Sequence, residues 1–322
     1  MDGGVAFISD PAYLEHYTGL GHPESPRRLA AIWEAVDRRG LKDRLLWPEP
    51  RPATVEELRR VHDADYVELV RREIAAGRSM LSTGDTNVGP KSYDAALLAA
   101  GAGLTAVELV CGGEARAAFC AIRPPGHHAT ASRGMGFCVF NNVAVAARHA
   151  QAACGVGRVL IVDWDLHHGN GTQEIFYDDG SVFYFSTHQV HHYPMPLTGL
   201  GHAEQTGTGA AAGRTMNCPL PGGAGDEELL APVTDRLAPA AAAFAPDLVL
   251  VSAGFDAARA DPLGRLDVTE AGFAALTRAV MDIAAATAGG RIVSMLEGGY
   301  DLTALAAGAA AHIEELLRPD GR

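Results

Sequence analysis

The segment Asp163-Trp164-Asp165-Leu166-His167-His168-Gly169-Asn170 concentrates the side chains most suited to chemistry. Asp163, Asp165 and His167 recur with period two, so in an extended segment they project to one side. Two carboxylates and an imidazole crowded together repel or lose solvation unless a cation compensates. Oxygen and nitrogen donors without a thiolate suit zinc, or iron, cobalt or manganese. The competing reading is local: Asp163 or Asp165 caps a helix that follows. Asp256, in a separate segment, offers another carboxylate and favours the metal. His127 and His128 lie in a Pro-Pro-Gly turn, and a neutral imidazole is the natural proton acceptor for water at such a metal. Tyr300, after Gly298-Gly299, is placed either to donate to a developing oxyanion or simply to pack as a half-buried aromatic at a helix start.

These residues need a scaffold that brings distant segments together. Six apolar runs read as strands: Val5–Ser9, Ala117–Ile122, Val159–Val162, Val182–Ser186, Leu248–Ser252 and Ile292–Leu296. Most are continuous rather than alternating, as in strands covered on both faces. Helical spacing fills the intervals at Ser25–Arg38, Ala64–Ala76, Lys91–Val110, Asn142–Ala153, Glu227–Ala243, Glu270–Ala286 and Leu302–Leu317. The alternation predicts an α/β fold: a single domain over 1–322, with a mostly parallel sheet flanked by helices. Ligands bind outside the carboxyl ends of such strands. Those ends carry Arg123-Pro-Pro-Gly-His-His128, Asp163 to Asn170, Thr187-His188, Ala253-Gly-Phe-Asp256 and Glu297-Gly-Gly-Tyr-Asp301. The stretch Thr187–Gly225 has little periodicity and reads as a long functional loop. His191 and His192 within it read as surface or rim, and His168 as a core residue supporting its neighbours. His16, His62, His149, His202 and His312 join no constellation.

Composition excludes several classes. Of the 322 residues, 48% are hydrophobic and 20% charged, which is ordinary globular usage. No apolar run reads as a membrane span, and the N-terminus shows no secretory pattern. The formal net charge of −13 argues against a broad basic face for nucleic acid or anionic lipid. Cys111, Cys120, Cys138, Cys154 and Cys218 form no C-x-x-C pair and read as buried thiols in a reducing cytoplasm. The glycine-rich segments match neither G-x-G-x-x-G nor a P-loop, and no serine sits in a nucleophile elbow.

Taken together, Arg123-Pro-Pro-Gly-His-His128, Gly136-Phe-Cys138 with Phe140-Asn-Asn142, Val162-Asp-Trp-Asp-Leu-His-His-Gly-Asn-Gly171, Ser252-Ala-Gly-Phe-Asp256 with Asp261-Pro-Leu-Gly264, and Leu296-Glu-Gly-Gly-Tyr300 resemble the zinc-dependent histone deacetylase family. The likeness is greatest to its class II and bacterial histone-deacetylase-like amidohydrolase branch. It begins at His22-Pro-Glu-Ser-Pro26 and covers nearly the whole chain. The resemblance implies an arginase/deacetylase-like fold with one catalytic Zn2+ held by Asp165, His167 and Asp256. It implies that His127 and His128 move protons and that Asp163 orients His127. It also implies a structural K+ held by Asp163 and Ser186 with the backbone of Asp165, His167 and Thr187. Gly136, Phe137 and Tyr193 match the walls of an acyl-lysine tunnel, and Leu263 matches a rim position. Asn170 stands where class I members carry a second aspartate, so His128 is expected to be the less basic of the pair. The segment Tyr193–Gly213 is also similar to the acetylpolyamine amidohydrolases.

The implied reaction is hydrolysis of an acyl-amide, with acylated lysine in peptides or proteins as the expected partner. Acetylated polyamine is the alternative substrate, with Glu204 as a carboxylate that the loop could deliver. A non-catalytic acyl-lysine binding module is the alternative of another class, disfavoured by Tyr300 and the complete ligand set. An arginase-type two-metal site is disfavoured because Ala258 stands where a second carboxylate would follow Asp256. Homo-oligomerisation is left open.

Overall fold

The computed structural model describes residues 3–318. Eight strands form one parallel sheet: β1 (Gly4–Ile8), β2 (Leu45–Leu46), β3 (Ala115–Cys120), β4 (Val159–Asp163), β5 (Val182–Gln189), β6 (Thr215–Leu220), β7 (Leu248–Ala253) and β8 (Ile292–Leu296). Their spatial order is β2-β1-β3-β8-β7-β4-β5-β6. Every pairing is parallel, so every connection is a crossover. The helices are α1 (Arg27–Arg38), α2 (Val55–Leu58), α3 (Ala64–Ala75), α4 (Ser92–Gly112), α5 (Asn142–Ala153), α6 (Asn170–Phe176), α7 (Met195–Thr198), α8 (Asp226–Pro232), α9 (Ala238–Phe244), α10 (Glu270–Thr287) and α11 (Leu302–Leu316).

Helices cover both faces of the central strands, which explains their unbroken apolar runs. Val159 to Val162 and Leu248 to Val251 are fully buried. The chain lays β4 well away from β3, builds outward to β6, then returns to fill the gap with β7 and β8. This order matters for function. The four strands followed by the chemical motifs, β3, β8, β7 and β4, are neighbours in the middle of the sheet. Strands pair at about 4.8 Å, so four carboxyl ends fit within roughly 15 Å.

Several sequence expectations need correction. The helix expected over Glu227–Ala243 is broken: α8 ends at Pro232, a wide turn spans Val233–Leu237, and α9 resumes at Ala238. Pro232 and Pro239 each lack the N–H that a regular ladder requires. The Thr187–Gly225 loop is partly ordered structure, since β5 runs on to Gln189 and both α7 and β6 lie within it. Strand β6 escapes an apolar-run search because it reads Thr-Met-Asn-Cys-Pro-Leu, and its edge place tolerates Pro219. Helix α4, 21 residues with mean hydropathy 1.8, is long and apolar enough to cross a membrane by composition. It packs instead against α5, β3 and β8. Cys111 and Cys154 are half-buried; the other three cysteines are buried.

Close packing of α4 depends on Gly101. A Cβ there would run into the carbonyl oxygen of Arg51 and crowd the amide of Ala53. That segment is tied to the helix by the Ala53 N–H donating to the Leu97 carbonyl at 2.8 Å. Gly101→Ala should therefore lower the unfolding free energy by about 2–3 kcal/mol in denaturant titration, because backbone must move to admit the methyl. A neutral result would show that this contact yields freely.

Candidate active site

The turn after β3 places His127 and His128, the segment after β4 places Asp165 and His167, the turn after β7 places Asp256, and that after β8 places Tyr300. The strand ends at Asp163, and residues 165–167 are bends rather than an extended strand. The period-two expectation is therefore corrected: the three side chains do not line up. Asp163 closes β4 and turns its carboxylate toward His127, while Asp165 and His167 turn toward Asp256.

Asp165, His167 and Asp256 are buried, and one donor atom from each lies within 4.8 Å of the others. His167 Nδ1 is 3.1 Å from Asp165 Oδ1 and 2.9 Å from Asp256 Oδ2. Bonds of about 2.0–2.2 Å to a tetrahedral zinc would set such atoms about 3.3–3.5 Å apart. The cluster thus has the donor types and spacing of a zinc site with three protein ligands. Among the described residues it is the one group of three or more His, Cys, Asp or Glu side chains that converges in this way. Backbone amides aim its carboxylates. Leu166 N–H donates to Asp256 Oδ1 at 2.9 Å, and Gly298 N–H to Asp165 Oδ2 at 2.7 Å. Gly298 is required by this approach, since a Cβ would enter the carboxylates of Asp256 and Asp165. Burial raises Asp256, and the nearby Asp165 carboxylate raises it further. Two such acids side by side call for a positive charge.

The tandem histidines have unlike partners. His127 Nδ1 lies 3.0 Å from Asp163 Oδ2, which also accepts from the Tyr184 hydroxyl at 3.1 Å. Burial depresses the His127 imidazole, but the carboxylates of Asp163, Asp165 and Glu297 outweigh it and hold the ring well above its usual range. His128 Nδ1 lies 2.8 Å from Asn170 Oδ1. Burial, followed by the neighbouring His127 and His167, pulls His128 well below the usual range. Since an amide oxygen only accepts, His128 carries its proton on Nδ1 and leaves Nε2 as an acceptor.

A cavity of about 200 Å³ opens above these groups, lined by His128, His167, His192, Tyr193, Gly136, Phe137, Leu263, Tyr300 and Asp85. Gly136 and Phe137 both adopt left-handed backbone, with φ of 57° and 67°. A side chain at Gly136 would collide with the His128 ring, so the wall must pass as bare backbone. Phe137 meets Tyr300 edge to face at 6.0 Å and His22 at 4.6 Å. Asp261 holds the opposite rim by accepting from the amides of Tyr300 (2.7 Å), Asp301 (3.2 Å) and Leu263 (2.9 Å). Ser186 lies beside Asp163 in the β4–β5 register, and its hydroxyl pairs with His188 Nδ1 at 2.9 Å. The adjacent Thr187 hydroxyl is buried without a hydrogen-bond partner. His191 is exposed, and Glu204 is exposed and does not line the cavity.

Sequence reasoning missed two contributors, Asp85 and Glu24, and placed His192 no more closely than surface or rim. Asp85 reaches the rim from the turn Thr83-Gly-Asp-Thr-Asn87 and accepts from the Gly136 N–H at 2.7 Å. Its only signal was a turn-forming composition. His192 lines the wall, 5.3 Å from His167 between ring centres. Beneath the site, buried Glu24 accepts two bonds from Arg123 and is 3.2 Å from Arg28. Arg28 in turn donates to the carbonyls of Gly299 (2.6 Å) and Glu297 (2.5 Å).

The comparisons agree with this geometry. The histone deacetylase domain model matches residues 22–316. The chain is 42% identical to the human polyamine deacetylase HDAC10 over 91% of its own length and 44% of that protein's, so it spans less than half of that relative. It is 40% identical to a histone deacetylase-like amidohydrolase of Pseudomonas aeruginosa, over 94% of this chain and 79% of that one. The solved HD domain of HDA15 superposes with a TM-score of 0.90 at 41% identity, covering 98% of this chain and 88% of that structure. A parallel sheet ending in a buried Asp-His-Asp cluster, with matches of this extent, places the chain in the histone deacetylase family of zinc-dependent amidohydrolases, enzymes that act on acetylated substrates.

Proposed function

We propose that this chain, as a single deacetylase-like catalytic domain, hydrolyses the amide of acylated lysine side chains in peptides or proteins, releasing acetate. One observation carries the choice of substrate: Leu263 lines the rim, and Phe137 and Tyr193 line the wall of a narrow cavity that ends on the ligand cluster. A lysine side chain presents methylenes to such walls, whereas the further ammonium groups of a polyamine favour carboxylates. Glu204 lies elsewhere, which supports the same choice. A polyamine substrate is the second reading, favoured by the Asp85 carboxylate at the rim.

Asp165, His167 and Asp256 would hold the zinc, which when bound polarises the amide carbonyl and acidifies water. His128 accepts the proton of the attacking water on Nε2. Tyr300 donates its hydroxyl to the oxyanion. Burial holds that phenol well above its ordinary range, so it stays a donor. His127, kept protonated beside Asp163, balances the negative charge, and the protonated pair returns a proton to the leaving amine. Asp163 and Ser186, level in the β4–β5 register, would offer side-chain oxygens to a K+ site completed by the backbone of Asp165, His167 and Thr187. Five free cysteines support the expected reducing, cytoplasmic setting.

Metal analysis should find about one zinc-like ion per chain, and Asp256→Ala should lose it, since one of three protein ligands is gone. Full metal retention in that variant would remove Asp256 from the ligand set. Tyr300→Phe should keep fold and metal yet lower kcat by about 10²–10³-fold on an acetyl-lysine peptide. Near-normal turnover would leave Tyr300 a packing residue. The substrate is tested by kcat/KM for acetyl-lysine peptides against acetylputrescine and acetylspermidine. Wild type should favour the peptides, and Leu263→Glu should move the ratio toward the polyamines. A wild-type preference for polyamines would replace this reading with the second.

A further inference from the structure

Glu297 follows β8 and is fully buried, yet it does not line the cavity. Its N–H donates to the Ala253 carbonyl at 3.1 Å, extending the pairing of β8 with β7 by one rung. Its side chain reaches sideways under the turn that follows β3. Oε2 accepts from the backbone N–H of Gly126 at 2.7 Å and from that of His127 at 3.1 Å. Oε1 accepts from the Ser252 hydroxyl at 3.2 Å. Among the described residues Glu297 forms no salt bridge with Arg, Lys or His, in contrast to buried Glu24. The turn cannot meet this need by other means. Gly126 is pressed against the Asn142 backbone, with no room even for a methyl, and the residue before it is Pro125, which has no N–H.

Asp163 and Asn170 hold the two imidazoles by their ring nitrogens. Glu297 instead holds the backbone from which both rings hang, and ties it to β7 and β8. We propose that Glu297 is a positioning residue for the proton-handling pair: by accepting both N–H groups it fixes His127 and His128 above the ligand cluster, and it holds the turn by these hydrogen bonds rather than by the charge that it also presents to His127. This rests on the assignment of His127 and His128 made above. The uncharged form can serve, because one oxygen still accepts from both amides while the other exchanges donor and acceptor with Ser252. Burial in fact pushes the Glu297 carboxyl up to about 7. Removing the acceptor leaves two buried N–H groups unpaired, which the turn relieves by moving. A shift of about 1 Å at a reacting group costs on the order of 10²-fold in rate.

Three variants of the zinc-loaded full chain test this: Glu297→Gln, Glu297→Asp and Glu297→Ala. The readouts are kcat and KM on an acetyl-lysine peptide, metal content, and amide hydrogen exchange across residues 123–128. Glutamine keeps the reach and an accepting oxygen, so it should recover kcat to within about threefold of wild type, with exchange unchanged. Aspartate is one methylene short of the turn. It and alanine should lower kcat by about 10²-fold at near-constant KM and full metal content, and speed exchange at Gly126 and His127. Wild-type kcat in Glu297→Asp would overturn the proposal, as would a loss in Glu297→Gln equal to that in Glu297→Asp, which would make charge the operative property. If alanine prevents folding, the glutamine–aspartate contrast decides alone. If wild type hydrolyses no acyl-amide, the functional reading fails, while the exchange comparison still decides whether Glu297 holds the turn.

Discussion

Four buried carboxylates at the centre of one sheet edge set the terms for the rest of the molecule. Asp163, Asp165, Asp256 and Glu297 are all excluded from solvent. Desolvating an isolated carboxylate costs several kcal/mol even after relaxation, so each must be neutralised, paired or richly hydrogen-bonded. The fold uses a different remedy for each. Asp163 has the His127 imidazole and the Tyr184 hydroxyl. Asp165 and Asp256 share His167 and backbone amides, and their donor set matches a zinc ion. Glu297 has two amides and a serine. Below them Glu24 is paired with Arg123 and Arg28, and these guanidiniums reach on to carbonyls of the β8 turn and the Tyr13 and His16 backbone. The segment carrying Tyr300 is thus tied by Arg28 to α1, a remote part of the chain.

Such density of polar groups is attainable because of the strand order. Strands added late in the chain, β7 and β8, are inserted between β3 and β4. Parallel register then sets Asp163 level with Ser252 on one side and Ser186 on the other. Glycine completes the approach. At Gly298, Gly254 and Gly169 a side chain would strike the carboxylate of Asp256, Asp165 and Asp163 respectively. Bare backbone there lets amides point at charge in place of water, so the site is dry and polar at once.

The fold was legible where one physical demand acted alone. Continuous apolar runs marked the central strands because both faces are covered, and helical spacing marked Asn142–Ala153, which the structure starts on an Asn141 cap. Edges were less legible. β2 is two residues long, and β6 answers to pairing on one side only, so neither needs an apolar signature. At the site, Asp165, His167 and Asp256 were visible as residue types at strand ends, and the structure brings them together. Which way each points was not visible, because the chain bends after Asp163 and parts it from Asp165. Asp85 arrives from a turn between α3 and α4, and Glu24 from a loop before α1. Nothing local to either residue records its distant partner. Glu297 was noticed only as part of a strand end, since an acid that accepts from backbone amides leaves no complementary cation in the sequence to reveal it.

The pairing of His127 with Asp163 and of His128 with Asn170 has a consequence for how protons are shared. The two rings are 4.1 Å apart between centres. Two imidazolium ions at that separation in a buried site would repel strongly, so the pair carries one proton more readily than two. Which ring takes it is decided one layer out. A carboxylate accepts from Nδ1 and attracts the resulting cation, whereas an amide oxygen accepts without adding charge. His127 is accordingly held high and His128 low, although they are adjacent in one turn and equally buried. A carboxylate on both rings would favour two cations and leave no acceptor for a water proton. An amide on both would leave no standing positive charge to meet the oxyanion or the amine. In the proposed reaction, the difference between Asp163 and Asn170 would therefore give one turn both a base and an acid, with the backbone beneath keeping the two rings in register with the ligand cluster.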